Sequence, residues 1–404
     1  MSLKIEINEN YKNLKPSYLF SDINKRVRAF AASHPEADII RLGIGDVTLP
    51  LPECTVKAME NAARELGKAE TFRGYPPEYG YDFLKDAIIK RYTSFGVNLD
   101  RNEVFVSDGA KSDVGNITDI FGGTPVCIPD PVYPVYLDSN VMDGRKTVFV
   151  KGNVENSFLP LPDTDELEKR AYIIYLCSPN NPTGALYSRD RLKKWVDFAL
   201  ETGSLIIFDA AYEAFIRGGE FPHSIYEIEN ARECAVEICS FSKFAGFTGT
   251  RCAWSVFPEA LKCGDTSLGF LWSRRQATKF NGVSYIVQRG AEASLSEEGT
   301  AQCMENINYY RRNAHILAEC LEKAGIWFTG GKHSPYLWLK CPGNMGSWEF
   351  FDMLLEKANL VGTPGEGFGE CGKGFFRLTS FGSYENTLKA VSRLEKFFRE
   401  NFNI

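Results

Sequence analysis

The segment SFSKFAGFTGTR, residues 240–251, holds the residues most able to do chemistry. A lysine amine can form an imine with an aldehyde, and Lys243 is the one lysine of this segment. The hydroxyls of Ser240 and Ser242 and the guanidinium of Arg251 together suit a phosphate group. The two glycines of the segment let backbone approach a ligand closely. The segment therefore predicts a site for an aldehyde that carries a phosphate. A surface loop with a solvated lysine is the alternative.

A carboxylate ends the apolar run of a second segment, IIFDAAY at 206–212. Open α/β sheets bind ligands beyond the carboxyl ends of their strands, which is where Asp209 would lie. There it would hold a pyridine nitrogen protonated, and the ring would then accept electrons from a carbanion at the substrate α-carbon. Tyr212 would donate a hydrogen bond to a ring oxygen. An Asp that caps the next segment is the alternative.

A proline-rich turn is predicted for CSPNNPTG, residues 177–184. Two X-Pro bonds within five residues make such a turn rigid, and a cis bond is one form of it. The turn would hold the Asn181 side chain against the same ring oxygen that Tyr212 contacts. A plain loop is the alternative for this segment.

Two earlier segments complete the pattern. VSDGAKSD, residues 106–113, predicts a strand that leads into a helix, and amides near Ala110 and Lys111 would receive the phosphate. DPVYPVY, residues 130–136, supplies Tyr133, whose ring could stack on the face of the pyridine. Each segment is weak evidence by itself, and together they indicate one ligand site.

In this order and spacing the segments resemble the class I/II aminotransferases, which are pyridoxal 5′-phosphate (PLP) enzymes of fold type I. The matching motifs are S-x-S-K-x-x-G-x-x-G-x-R at Ser240–Arg251, D-x-x-Y at Asp209–Tyr212 and P-N-N-P-T-G at Pro179–Gly184. The resemblance implies an amino acid and a 2-oxo acid as substrates, and catalytic roles for Lys243, Asp209 and Tyr212. It implies that PLP is bound by Tyr75, Ala110, Lys111, Tyr133, Asn181, Asp209, Tyr212, Ser240, Ser242, Lys243, Arg251 and Asn281. Cys252 departs from the aliphatic residue that the family usually has after the arginine.

Longer blocks resemble one subgroup of this family, which acts on a diamino-diacid. They are SYLF (17–20), IIRLGIGDVTLPL (39–51), TFRGY (71–75), DGAKSD (108–113), DPVYPVYLD (130–138), KFNGVSYIVQRGAE (279–292) and GFFRLTSFG (374–382). By this resemblance Arg377 clamps the substrate α-carboxylate, because an Arg–carboxylate pair gives orientation as well as energy. The substrate-binding residues implied are Tyr18, Gly45, Glu78, Lys111, Tyr133, Asn181, Asn281 and Arg377.

The resemblance also implies a homodimer with shared active sites, in which Tyr75 and Asn281 reach the neighbouring subunit. Lys111 and Glu78 would bind the distal end of the substrate, since a second carboxylate needs a cation and a second ammonium needs a carboxylate. A solvated surface charge is the alternative for both residues. The block PPEYG at 76–80 departs from the GPEQG of the subgroup, so Pro76 and Tyr79 would reshape the pocket around Glu78.

The elements that must position these residues form a β-α-β-α alternation between about residues 103 and 252. Its apolar runs are EVFVSD, PVCIP, KTVFV, AYIIYLC, SLIIFD, AVEICSFS and CAWSVF. They are nearly continuous and β-branched, as in strands buried on both faces. With an amphipathic helix predicted over 189–202, they indicate an α/β fold with a mostly parallel central sheet flanked by helices.

The C-terminal region predicts a smaller α+β domain. Helices are expected over 305–324, 348–358 and 384–402, with strands in PYLWLK and FFRLTSF. We therefore predict a large PLP-binding domain over 45–290 and a small C-terminal domain over 291–404. The segment 1–44 would be an N-terminal arm that joins the small domain.

Composition narrows the classes of partner. The chain has 404 residues, a formal net charge of −6 and no concentrated Lys/Arg block, which argues against nucleic acid and anionic membranes. Its apolar runs fall short of the roughly 18 residues of a membrane span. Eleven cysteines without a C-x-x-C pair and four histidines indicate neither a disulfide framework nor a zinc site. The start of the chain has no apolar region, so we expect no signal peptide. From the cysteines and histidines we expect no metal site and a cytoplasmic location.

Rival interpretations remain. An aminotransferase of the same subgroup could act on another amino acid, a PLP lyase or decarboxylase could use the same fold, and a non-catalytic relative could bind PLP or a partner. The segment GFGECG at 367–372 fits the dinucleotide-binding pattern G-x-G-x-x-G. It leads into FFRLTSF, which predicts a strand where that pattern requires a helix, so we reject it.

Overall fold

The computed structural model describes residues 3–15, 19–43, 45–162 and 165–404. Its α-helices are α1 Leu19–Ser33, α2 Glu53–Leu66, α3 Asp82–Thr93, α4 Ala110–Asn116, α5 Pro134–Met142, α6 Arg189–Thr202, α7 Phe241–Phe244, α8 Leu268–Lys279, α9 Tyr285–Leu295, α10 Glu297–Lys323, α11 Ser347–Ala358 and α12 Tyr384–Phe402. Its strands are β1 Ile40–Arg41, β2 Val104–Ser107, β3 Val126–Asp130, β4 Thr147–Lys151, β5 Ile173–Cys177, β6 Leu205–Asp209, β7 Ala235–Ser240, β8 Ala253–Val256, β9 Lys262–Cys263, β10 Thr266–Ser267, β11 Phe328–Gly330, β12 Tyr336–Lys340, β13 Leu360–Val361, β14 Thr363–Pro364 and β15 Phe375–Thr379.

The central sheet has the order β2-β8-β7-β6-β5-β3-β4. Strand β8 runs antiparallel to β2 and β7, and the remaining pairs are parallel. Every residue of β5, β6 and β7 is buried, because helices cover both faces of a parallel sheet. The predicted mostly parallel α/β fold is confirmed, with each of the seven apolar runs forming one strand.

Helix α6 shows how the local sequence sets an element. The Ser188 hydroxyl accepts a hydrogen bond from the Arg191 amide at 3.4 Å, which caps the first turn. Gly203 ends the helix in the left-handed conformation, with φ at 67°. Between these caps Leu192 and Trp195 lie on the buried face, which packs against the sheet. The predicted bounds of 189–202 are confirmed.

Helix α10 begins eight residues before its predicted start at 305, at Glu297. The Ser296 hydroxyl accepts from the Gly299 amide at 3.0 Å, and two glutamates follow in the first turn. A capping serine followed by acidic residues favours a helix start, so the polar stretch before 305 is helical. The N-terminal half of α10 packs in the large core through Cys303 and Ile307, and its later turns pack in the core of the small sheet.

The second sheet is antiparallel, with the order β11-β12-β15-β14. Near it, β1 pairs in parallel with β13, so Ile40 lies opposite Leu360. Closer to the N-terminus the chain contacts the end of α5 instead, since the Asn8 side-chain amide donates to the Met142 carbonyl at 2.9 Å. The boundaries at 45 and 291 stay a prediction. The motif at 367–372 is followed by strand β15, which confirms that it is not a dinucleotide fingerprint. Among the described helices, none combines the length and apolarity that a membrane crossing needs.

Candidate active site

A cavity of about 400 Å³ opens where strands β5, β6 and β7 end. Cys177, Asp209 and Ser240, the last residues of these strands, all line it. The sequence-predicted residues on its walls are Gly45, Ala110, Lys111, Tyr133, Asn181, Asp209, Tyr212, Ser240, Ser242, Lys243, Arg251 and Arg377. The sheet order thus brings together segments that are far apart in the chain.

Lys243 lies on the short helix α7. This helix begins where the Ser240 hydroxyl accepts from the Ser242 amide at 3.0 Å. The Lys243 ammonium donates to the Gly45 carbonyl. Burial lowers the pKa of Lys243 to about 8, while the nearby Asp46 carboxylate acts in the opposite direction. A lysine with this pKa is neutral far more often at physiological pH than an exposed one, which suits a nucleophile or a base.

Asp209 is a buried carboxylate with 7% of its surface exposed. Tyr136 donates its hydroxyl to Asp209 Oδ2 at 2.6 Å, and the Ala211 amide donates to Oδ1 at 3.0 Å. Burial raises the pKa of Asp209, and these two hydrogen bonds act against the rise. A carboxylate held in this way at a cavity wall suits a cationic group of a ligand.

Arg251 lies beside the start of α4. Its Nη1 donates to the Thr248 carbonyl at 3.2 Å and approaches the Ser242 hydroxyl at 3.5 Å. A Cβ on Gly109 would lie 2.0 Å from Arg251 Nη2, so only glycine leaves room for this guanidinium. The cation and two serine hydroxyls on one wall form a set of donors that suits a phosphate.

Arg377 on β15 is 1% exposed. Its Nη1 donates to Asn181 Oδ1 at 2.6 Å, and its Nη2 donates to the Gly43 carbonyl at 2.9 Å. The predicted turn around Asn181 contains two cis bonds, Ser178–Pro179 and Asn181–Pro182. A fixed guanidinium at the cavity wall is well placed to bind a carboxylate.

Some residues of the wall were missed by sequence reasoning. They are Phe20, Asp46, Val114, Tyr136, Cys177, Ala211, Thr248 and Tyr336. The sequence does carry a signal for Tyr136, since it stands three positions after Tyr133, in the first turn of the helix α5 that Tyr133 precedes. Tyr336 comes from β12 of the second sheet, and no local motif marks it.

Three of the predicted residues that the structure describes are not on this wall. Tyr75 is 88% exposed and shares another surface depression with Glu78, while Asn281 is exposed. Tyr18 lies outside the described residues. A Cβ on Gly282 would lie 2.6 Å from the Pro77 carbonyl, so the segments around 77 and 282 are in contact.

Tyr79 does not face the depression that Glu78 lines. Its ring packs edge-to-face against Phe105 with centroids 5.8 Å apart, and the Lys85 ammonium lies 5.9 Å from it. Tyr79 therefore lines a separate depression with these two residues. Tyr79 and Glu78 thus line different depressions of the same chain.

Comparisons with known proteins agree with this geometry. Residues 37–394 match the family model for aminotransferase class I and II. A curated LL-diaminopimelate aminotransferase of Lachnospira eligens is 52% identical over 405 residues, which cover 96% of this chain and 99% of the relative. One of Bacteroides thetaiotaomicron is 52% identical over 97% of this chain and 99% of its own length. The solved L,L-diaminopimelate aminotransferase of Chlamydomonas reinhardtii has a TM-score of 0.91 and 40% identity, covering 98% of this chain and 99% of that one. The chain belongs to the class I and II aminotransferases.

Proposed function

We propose that this protein is a PLP-dependent aminotransferase that makes LL-diaminopimelate for lysine biosynthesis. It would move the amino group of glutamate to tetrahydrodipicolinate in its open oxo form and release 2-oxoglutarate. The observation that carries the proposal is one cavity with Lys243, Asp209 and Arg377 on its walls. Curated relatives named LL-diaminopimelate aminotransferase, 52% identical over nearly the whole chain, support the choice of substrate.

The residues of the cavity fit PLP at several points. Arg251 and the two serines around α7 would hold the phosphate, and the room that Gly109 leaves for Arg251 supports this assignment. Asp209 would hold the ring nitrogen protonated, since a buried carboxylate of raised pKa gains from a cationic neighbour. Tyr212 and Asn181 would bind the ring oxygen, and Tyr133 would cover the ring face. When bound, PLP supplies an electron sink that stabilises negative charge at the substrate α-carbon.

Substrate orientation would come from Arg377. Its guanidinium would bind the α-carboxylate, and its hydrogen bonds to Asn181 and Gly43 keep it in one position. Gly45, close to both Lys243 and Arg377, would contribute a backbone contact. Lys243 would serve as the general base, because its neutral amine can accept the proton of the substrate α-carbon and deliver it to the C4′ carbon of the cofactor.

The distal end of the substrate requires further groups. Lys111 lines the cavity and would bind the second carboxylate. Glu78, Tyr18 and Asn281 are proposed further partners for the substrate; Glu78 and Asn281 do not line the cavity of their own chain, and Tyr18 lies outside the described residues. If Glu78 does not reach it, an amino acid without a second ammonium becomes the better substrate. An aminotransferase for another amino acid is therefore the second candidate.

A homodimer would explain the position of the Tyr75 and Asn281 side chains. Tyr75 is 88% exposed and Phe72 is 66% exposed, which is unusual for aromatic residues without a partner. We propose that Tyr75 reaches the phosphate of the neighbouring subunit and that Asn281 reaches its substrate and cofactor. All eleven cysteines are free thiols, which supports a reducing compartment such as the cytoplasm.

The experiment that tests the function offers LL- or meso-diaminopimelate to the purified holoenzyme together with 2-oxoglutarate. We expect glutamate to form with the LL isomer and much less with the meso isomer. Lys243→Ala should abolish turnover. No product from the LL isomer, with turnover of another amino acid, would favour the second candidate. Full turnover in Lys243→Ala would refute the catalytic scheme.

A further inference from the structure

Tyr336 joins two parts of the active site that come from different sheets. It lies on β12, with 1% of its surface exposed. Its hydroxyl oxygen is 2.5 Å from that of Tyr212, which follows β6 of the central sheet. The two rings meet edge-to-face with centroids 5.1 Å apart. The hydrogen bond thus joins two buried phenols, and both residues also line the cavity.

The Tyr336 ring also contacts Arg377, the proposed carboxylate-binding residue. The Arg377 guanidinium lies 4.6 Å from the Tyr336 ring centroid, at a distance that allows cation–π attraction. The backbone of Tyr336 is tightly enclosed, because a Cβ on Gly184 or Gly330 would lie within 2.6 Å of the Tyr336 carbonyl oxygen. Tyr336 therefore holds a fixed position between Arg377 and Tyr212.

The number of hydrogens decides what this contact does. Burial raises the pKa of both phenols, so each keeps its single hydrogen. Either phenol can be the donor in the pair. If Tyr212 donated to Tyr336, it would have no hydrogen left for a ligand in the cavity. When Tyr336 donates, the Tyr212 hydrogen is free, and the hydrogen bond it receives makes Tyr212 a stronger donor.

We infer that Tyr336 is a positioning residue that donates to Tyr212 and thereby directs the Tyr212 hydroxyl hydrogen into the cavity. The inference rests on the proposed function, in which Tyr212 donates to the ring oxygen of PLP. A hydrogen bond donated to the anionic ring oxygen stabilises the deprotonated form of bound PLP and so lowers the pKa of the bound cofactor. Loss of the Tyr336 hydroxyl should weaken this donor and raise that pKa.

The test is a pH titration of the visible absorbance of the holoenzyme. In Tyr336→Phe, which keeps the ring beneath Arg377, we expect the midpoint to move upward by roughly 0.5–1 unit. We expect kcat to fall by about 2- to 10-fold, as for one lost hydrogen bond, and KM for the amino donor to change by less than about twofold. Tyr336→His keeps a donor and should give a midpoint between those of wild type and Tyr336→Phe.

Two further variants separate positioning from a structural role. In a Tyr212→Phe background, Tyr336→Phe should cause no additional shift of the midpoint, because Tyr336 acts through Tyr212. Tyr187→Phe is the matched control, since that buried phenol donates to the Pro160 carbonyl at 3.0 Å, and it should leave the midpoint unchanged. The inference would be overturned by an unchanged midpoint in Tyr336→Phe, or by an equal shift of the midpoint when Tyr336→Phe is made in the Tyr212→Phe background. It would also be overturned if the single variant Tyr336→Phe did not fold. A wild-type protein that takes up no PLP would instead overturn the proposed function.

Discussion

Gly109 lies so close to Arg251 that a Cβ at position 109 would stand 2.0 Å from Arg251 Nη2. The φ angle of Gly109, 146°, is also one that residues with a side chain rarely adopt. The Arg251 guanidinium therefore comes this close to the start of α4 because residue 109 has no side chain. The place where they meet is the proposed phosphate pocket.

Gly109→Ala should push Arg251 away from this pocket and weaken PLP binding. We expect the dissociation constant of PLP to rise by about 10-fold or more, since a hydrogen bond to a charged group contributes about 1.5–3 kcal/mol. Fluorescence or absorbance titration of apo-protein with PLP measures it. Gly115→Ala is the control, because its Cβ would make only an ordinary contact, 3.7 Å from the Ser139 hydroxyl. Equal affinities for both variants would contradict the assignment of Arg251.

The pKa of Lys243, lowered by burial to about 8, predicts how apo-protein takes up PLP. The neutral amine is the reactive form, so the rate of uptake should rise with pH and reach half its maximum near pH 8. Asp46 raises the pKa of Lys243, so Asp46→Asn should move that midpoint to lower pH. The surface variant Asp352→Asn should leave it in place. A midpoint near 10.4, as for an ordinary lysine, would show that burial does not act on this amine.

Arg377→Lys tests the proposed carboxylate clamp. A lysine lacks the planar pair of donors, so it cannot bind Asn181 and a substrate carboxylate in the same arrangement. We expect kcat/KM for amino acid substrates to fall by about 10- to 100-fold, as for one lost charge-assisted hydrogen bond. Steady-state kinetics measure this effect. Arg393→Lys, near the surface and paired with Asp38, should behave as wild type, and a similar result for Arg377→Lys would place the clamp elsewhere.

Mixed subunits test the proposed sharing of active sites. Lys243→Ala removes the base from its own cavity, and Tyr75→Ala removes a group that is proposed to serve the neighbouring one. Each variant alone should have little activity. A refolded equal mixture should recover about a quarter of wild-type activity, because half of randomly formed dimers contain one intact site of two. If the mixture stays as inactive as the separate variants, Tyr75 acts within its own subunit.

Glu237 should make stability depend on pH. It is 1% exposed and accepts hydrogen bonds from the Tyr92 and Ser224 hydroxyls, yet burial raises its pKa from 4.5 to about 7. The folded state then binds the proton more tightly than the unfolded state, so the free energy of unfolding should fall as pH rises from 4.5 to 7. Asp113 acts in the same direction, which makes the difference between wild type and Glu237→Gln the informative quantity. Denaturant unfolding at several pH values should show a shallower decline in Glu237→Gln, and parallel curves would refute this role.

The sequence predicted the larger elements well. The seven apolar runs became the central sheet and α6 has its predicted bounds, because continuous β-branched runs and helix caps act over a few residues. The start of α10 was wrong by eight residues, since the capping signal at Ser296 precedes the apolar repeat. Strand β8 runs antiparallel to both of its neighbours, β2 and β7, whereas the other strand pairs of the sheet are parallel. No local sequence pattern indicates that direction.

For the site, the sequence by itself determined which chemical groups are available. Lys243, Asp209 and Arg251 stand in short motifs, and the chemistry of each motif follows from residue types a few positions apart. Tertiary structure decided what these groups meet. The Tyr336–Tyr212 pair depends on how two sheets are placed, and Tyr75 and Glu78 lie away from the wall of their own chain's cavity. Contacts across long separations depend on sheet order and on the packing of one sheet against another, which no short stretch of sequence encodes.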